Sequence, residues 1–109
     1  MENRIMKNLK NIHPGDILKE DFLIPMGISV YLLSKQTGLS QTRLSQITRG
    51  RRSITAETAL MLGKFFDIPA EFWMNLQTLY DIEETRKLKD KELELIIPYQ
   101  KLKLKQKTA

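Results

Sequence analysis

Residues Ser29–Arg49, SVYLLSKQTGLSQTRLSQITR, constrain this chain more than any other stretch. They read as one helix, a glycine turn and a second helix. Ser29 is placed to cap the first helix, with Ile28 stapling onto Leu33 one turn in. Val30, Leu33, Ser34 and Thr37 follow at i, i+3, i+4 and i+7, which is one helical face. Ser34 is small where the two helices approach most closely. Gly38 stands where the chain must turn sharply, in the left-handed region that glycine enters without penalty. Leu39 plugs the corner and Ser40 caps the next helix. There Leu44 and Ile47 are the inward pair, leaving Gln41, Thr42, Ser45, Gln46 and Arg49 facing out. Gly50 closes that helix, and Arg51 and Arg52 follow at once. Amides, hydroxyls and a guanidinium in front of an apolar pair suit a helix that lies in the DNA major groove. The plainer alternative is a helical hairpin in a bundle, with a solvated polar face.

The distribution of charge decides between them. Residues 22–56 hold no Asp or Glu and carry Lys35, Arg43, Arg49, Arg51 and Arg52, a local +5 that equals the formal net charge of the whole chain. Residues 57–84 carry six acids against Lys64. A random solvated surface mixes its signs more evenly. A basic face at the candidate reading helix is an electrostatic footprint for phosphate.

The remaining pattern is helical with short connections, an all-α reading. His13-Pro14 opens a first helix, with proline tolerated in the first turn. Ile17, Leu18 and Phe22 form its apolar stripe, and Pro25-Met26-Gly27 ends it. Thr55 caps a fourth helix reaching about Phe66, with Ala59, Leu62, Gly63 and Phe66 inward. A fifth starts at Ile68-Pro69-Ala70, and Phe72, Trp73, Leu76, Leu79 and Tyr80 give it a broad apolar stripe. Phe65, Phe66, Phe72 and Trp73 lie in the acidic part of the chain. They read as core, because a stacking platform for single strands interleaves exposed aromatics with basic residues.

At 109 residues the chain has room for one compact core. It has no Cys, hence no disulfide, no thiolate metal site and no thiol nucleophile. No apolar run approaches the roughly 20 residues of a membrane span, and no signal-peptide core opens the chain. The expectation is a soluble cytoplasmic protein, nucleoid-associated when bound to DNA. The single histidine, His13, has no evident Asp or Ser partner and reads as a helix-opening residue. Glu83-Glu84 and Glu92/Glu94 lie among lysines, as solvated surface does. No phosphate loop or metal motif appears. No catalytic residue, cofactor or metal is therefore expected.

Several segments together resemble the HigA-type antitoxins, within the XRE or lambda-repressor-like helix-turn-helix family. These are His13–Leu18 (HPGDIL), the helix-turn-helix, Gly50–Leu60 (GRRSITAETAL), Glu71–Gln77 (EFWMNLQ) and Tyr80-Asp81. The likeness runs from about Asn11 to Asp81. It implies a five-helix core, a homodimer, double-stranded operator DNA as ligand, and autorepression. It also implies a HigB-type toxin partner, a small ribosome-dependent mRNA endonuclease. The family's base-reading positions fall on Gln41, Thr42 and Gln46, with Ser45 and Arg49 nearby; its phosphate contacts fall on Ser40, Arg43, Arg51 and Arg52. Side-chain amides such as those of Gln41 and Gln46 can pair with adenine N6 and N7. Two departures are mild. Val30 replaces a common Gln, losing one possible phosphate contact, and Ser34 replaces the usual Ala, so its hydroxyl must find a backbone carbonyl.

The division expected is a DNA-binding domain over 1–84 and a dimerisation segment with a basic tail over 85–109. In the tail, Leu93, Leu95 and Ile97 alternate with Glu94 and Ile96, favouring a short strand over 93–99 that pairs with a second chain. An amphipathic helix using Leu93, Ile96 and Ile97 competes with it. Lys101, Lys103, Lys105 and Lys107 read as a disordered basic end.

Overall fold

The computed structural model describes residues 10–108, and side chains through Leu104. Residues 1–9 and the side chains of Lys105 and Lys107, parts of the expected domain and tail, lie outside the described ones. Every described element is helical, in the lambda-repressor-like arrangement. Helix α1 runs in three consecutive stretches: Pro14–Ile17, a wider π-wound Leu18–Leu23, and Ile24–Met26. Pro25 sits near its end, where it donates no N–H and crowds the carbonyl four residues back. The turn before it is wound wide, with the Ile24 N–H reaching Lys19 O. Thus the helix passes through Pro25 and ends at left-handed Gly27.

The others are α2 (Val30–Thr37), α3 (Gln41–Thr48), α4 (Ala56–Phe66), α5 (Ala70–Leu88), α6 (Asp90–Glu94) and α7 (Tyr99–Thr108). Their starts follow the capping chemistry. Ser29, Ser40 and Thr55 each accept a backbone N–H three residues on. Gly38, at φ 82°, makes the corner between α2 and α3. The core is Leu18, Leu33, Leu44, Ile47, Ile54, Leu62 and Trp73, all essentially inaccessible. Burying Leu44 and Ile47 contributes about 1.5–3 kcal/mol each, which seats α3 on α1 and α2. Phe22, Phe65 and Phe66 pack around the core, and Phe22, Phe66 and Phe72 form ring contacts with Trp73.

Three expectations are corrected here. The stripe on α5 does not include Leu79, which is 65 % exposed; its inward face instead takes Gln77. The segment 93–99 is not a strand. Leu93 and Glu94 finish α6, Leu95–Pro98 form a turn, and Pro98 O accepts from Lys101 and Leu102 to start α7. Short i→i+3 and i→i+4 bonds satisfy this backbone locally, whereas a lone strand would leave its edge groups without partners. The basic end, expected to be disordered, is helical through Thr108.

The boundary drawn after Glu84 falls inside α5. Every described side chain from Thr85 to Leu104 is exposed. The molecule measures 66 × 29 × 22 Å with a radius of gyration of 19.0 Å, against about 13 Å for a compact chain of this length. Among the described residues no helix is long and apolar enough to cross a membrane.

Candidate nucleic-acid interface

The geometry of α3 is set by its neighbours' polar chemistry as well as by its apolar pair. On α2, Ser34 Oγ donates to the Leu39 carbonyl at 2.6 Å, so the serine at the helix crossing finds its acceptor in the corner itself. Thr37 Oγ1 donates to Leu33 O at 2.6 Å and accepts from the Leu39 N–H at 3.2 Å. Ser40 Oγ then accepts from the Arg43 N–H at 3.0 Å. The corner between the two helices is thereby hydrogen-bonded on both sides.

With Leu44 and Ile47 buried, the other residues of α3 have one direction left. Gln41, Thr42, Ser45, Gln46 and Arg49 line a single open concavity of about 490 Å³, with Val30 at its wall. The structure therefore brings all five expected base-contact residues together. Val30, expected on the face of α2 with Leu33 and as a lost phosphate contact, supplies an apolar side to the same hollow. The four expected phosphate contacts flank it. Ser40 and Arg43 stand at the start of α3, and Arg51 and Arg52 follow its end.

Two of these arginines already have partners. Arg43 Nη1 lies 3.0 Å from Glu57 Oε1, in the first turn of α4. Arg52 Nη1 donates to Gln46 Oε1 at 2.9 Å. Neither partnership was visible in the sequence, where Gln46 reads as a base contact.

Three further residues position α3. Gly15 packs backbone to backbone on its end, and a Cβ there would lie 1.7 Å from the Ile47 carbonyl oxygen. His13 caps α1, its Nδ1 accepting from the Gly15 N–H at 2.8 Å, and its ring stands edge-on to Tyr80 at 4.8 Å. Burial holds its pKa below the ordinary 6.5, outweighing the Asp16 and Asp81 charges that pull upward. The HPG triplet is thus one device, with a cap, a proline in the first turn and a close approach. Gln77 is the third. Buried on α5, it accepts from the Ile54 N–H through Oε1 at 2.8 Å and donates to Asp81 at 2.8 Å and Ser53 at 3.4 Å. It pins the loop that carries Arg51 and Arg52. The sequence offered a signal for it, a polar residue at i+4 from Trp73 on the inward stripe.

Residues 18–73, from the core of α1 to Trp73, match the helix-turn-helix family model. The chain belongs to the XRE-type helix-turn-helix family, and its solved neighbours include HigA antitoxins. This is a family of DNA-binding regulators, not of enzymes. Virulence-associated protein I of Dichelobacter nodosus is 44% identical over 80% of both chains. A HigA-family addiction module antidote protein of Coxiella burnetii is 42% identical at a TM-score of 0.78, covering 84% of this chain and 100% of its own. The Pseudomonas aeruginosa antitoxin HigA, solved with the higBA promoter, is 36% identical at a TM-score of 0.79, covering 83% of this chain and 99% of its own. An XRE-type helix-turn-helix accounts for α2 and α3. The apolar, exposed segment after α5 lies beyond residues 18–73, which the family model matches.

Proposed function

We propose that this chain is the antitoxin of a type II toxin–antitoxin system, a sequence-specific repressor of its own operon that also neutralises a HigB-type, ribosome-dependent mRNA endonuclease. Under this reading Gln41, Thr42, Ser45, Gln46 and Arg49 contact base edges, and Ser40, Arg43, Arg51 and Arg52 contact phosphates. The observation that carries it is the convergence of five polar side chains on one open face of α3, between two basic flanks. A single such helix covers few base pairs, so useful specificity needs two half-sites about 34 Å apart. We therefore read the working form as a homodimer on a near-palindrome, in the cytoplasm and on the nucleoid. Residues 1–84 would face DNA, and 85–109 would hold the two copies together.

The test titrates the full chain against the DNA preceding its own reading frame and against random duplex. Gln46→Ala should cost about 1–3 kcal/mol on the first and little on the second. Arg51→Ala should weaken both alike and flatten the slope of log affinity against log salt by about one unit. Equal losses on both duplexes for Gln46→Ala would remove it from the base-reading set. The toxin arm is separate: co-expression must relieve growth arrest caused by the adjacent small reading frame. A chain that represses but rescues nothing is a stand-alone repressor.

A further inference from the structure

The side chains of Gln46 and Arg52 are joined, and the chemistry of the pair fixes which way the amide points. An N–H of Arg52 donates to Gln46 Oε1 at 2.9 Å. A guanidinium carries five donors and no acceptor, so it can only be met by the carbonyl oxygen of the amide and never by its NH2. The bond is charge-assisted, stronger than one between neutral groups. Its far partner is also held. The Arg51 N–H bonds to the backbone carbonyl of Gln46 at 2.8 Å, and the Ile54 N–H is fixed by Gln77. The loop bearing Arg52 is therefore anchored on both sides of that residue.

Base edges respond to this orientation. Pairing a glutamine with adenine requires the amide to accept from N6 and donate to N7 at once. In this chain the accepting oxygen already receives an Arg52 N–H, and the guanidinium's positive charge repels amino hydrogens that approach its second lone pair. Guanine presents two acceptors, N7 and O6; thymine presents O4; cytosine presents only a donor. We propose that Arg52 is a positioning residue that makes Gln46 a donor-only reader, so that it selects guanine over adenine. This rests on α3 being the base-reading helix. It replaces the adenine pairing expected for Gln46 from its residue type alone.

The experiment is selection of the full chain on a random duplex library, read by sequencing, for wild type, Gln46→Ala, Arg52→Ala and Arg52→Lys. Wild type should favour guanine over adenine on the order of tenfold at one position in each half-site. Gln46→Ala should flatten that position alone, which identifies it. Arg52→Ala frees the amide, and adenine should rise to within about threefold of guanine there, other positions holding. Arg52→Lys keeps a donor and a charge and should keep the guanine preference. An Arg52→Ala protein that binds all sequences more weakly with unchanged preferences overturns the inference and leaves Arg52 as a phosphate contact. So does a wild type that prefers adenine where Gln46 reads. A wild type that enriches no sequence at all overturns instead the reading of α3 itself.

Discussion

The two ends of α5 belong to different regimes. Its first half closes the core: Trp73 is fully buried, Gln77 satisfies the loop behind α3, and Tyr80 packs on His13. From Leu79 onward, Tyr80 apart, the apolar residues are exposed. Leu79, Ile82, Leu88, Leu93, Leu95, Ile96, Ile97 and Tyr99 are all between 47 and 80 % exposed. Both halves are written in similar residues, so hydrophobicity alone does not distinguish them. What differs is whether the partner surface lies in the same chain. Contiguous exposed apolar surface marks an interaction site. The first half of α5 is packed within this chain, and the second half stays exposed.

The sharpest attempt to break the first half uses Gly15. An alanine methyl there would meet the Ile47 carbonyl oxygen at 1.7 Å, and backbone cannot swing aside as a side chain can. Gly15→Ala should cost about 3 kcal/mol of stability, measured by denaturant unfolding. Gly27 provides the control. It has φ 66° and open space around its Cβ position, so Gly27→Ala should cost only the left-handed strain, about 1–2 kcal/mol. Equal losses would mean that α1 does not rest on the end of α3.

The second half is tested by stopping the chain after Lys89. Among the described residues, removing 90–109 takes away exposed side chains and no buried one, so unfolding should stay cooperative with little change in midpoint. Under the proposed assembly, light scattering should instead show a monomer where the full chain is a dimer. Operator affinity should fall on the order of a hundredfold, the usual return from linking two half-site contacts. A truncated protein that stayed dimeric would move the interface onto the exposed face of α5, around Leu79 and Ile82.

What the sequence made legible follows the same division. Caps, corner and inward pair of the helix-turn-helix obey local rules, and Ser29, Gly38, Ser40, Leu44 and Ile47 sit where those rules place them. Ser34 was short of an acceptor on paper and finds one five residues on. Contacts between distant residues were not legible. The Gly15–Ile47 approach, the Gln77 clamp and the Arg43–Glu57 pair depend on packing angles that no periodicity records. The 93–99 segment failed for another reason. Its alternation fits a strand, but a strand needs a neighbour that this chain does not supply, and local helical bonds win.

A pH experiment isolates one residue of the packed half. His13 must be neutral at Nδ1 to accept from Gly15, and burial lowers its pKa in the fold. The unfolded chain takes up this proton at about pH 6.5. The stabilising contribution is therefore complete above that pH, declines as pH falls below it, and is lost as pH passes the lower folded value. No other histidine exists to confuse the window. Stability should fall by about 1 kcal/mol, the worth of a cap, on acidification toward pH 5. In His13→Asn, which caps without titrating, that slope should flatten. A slope that survives the substitution would place the titrating group elsewhere.

The smallest effect separates packing from DNA contact within the first half itself. The Arg43–Glu57 pair spans α3 and α4 at 3.0 Å, but Glu57 is 63 % exposed, and such pairs contribute at most about 1 kcal/mol. Glu57 is also the first acid after the acid-free stretch, and it holds an arginine that the DNA reading assigns to phosphate. DNA binding must either break this pair or carry its negative charge close to the backbone. Glu57→Gln should consequently leave the unfolding midpoint nearly unchanged while raising affinity for random duplex a few-fold at low salt. The gain should shrink as salt screens the charge. If stability dropped and DNA affinity did not move, the pair would be a strut between two helices. Arg43 would then belong with the packing of α3 on α4 and not with the surface that meets the phosphates.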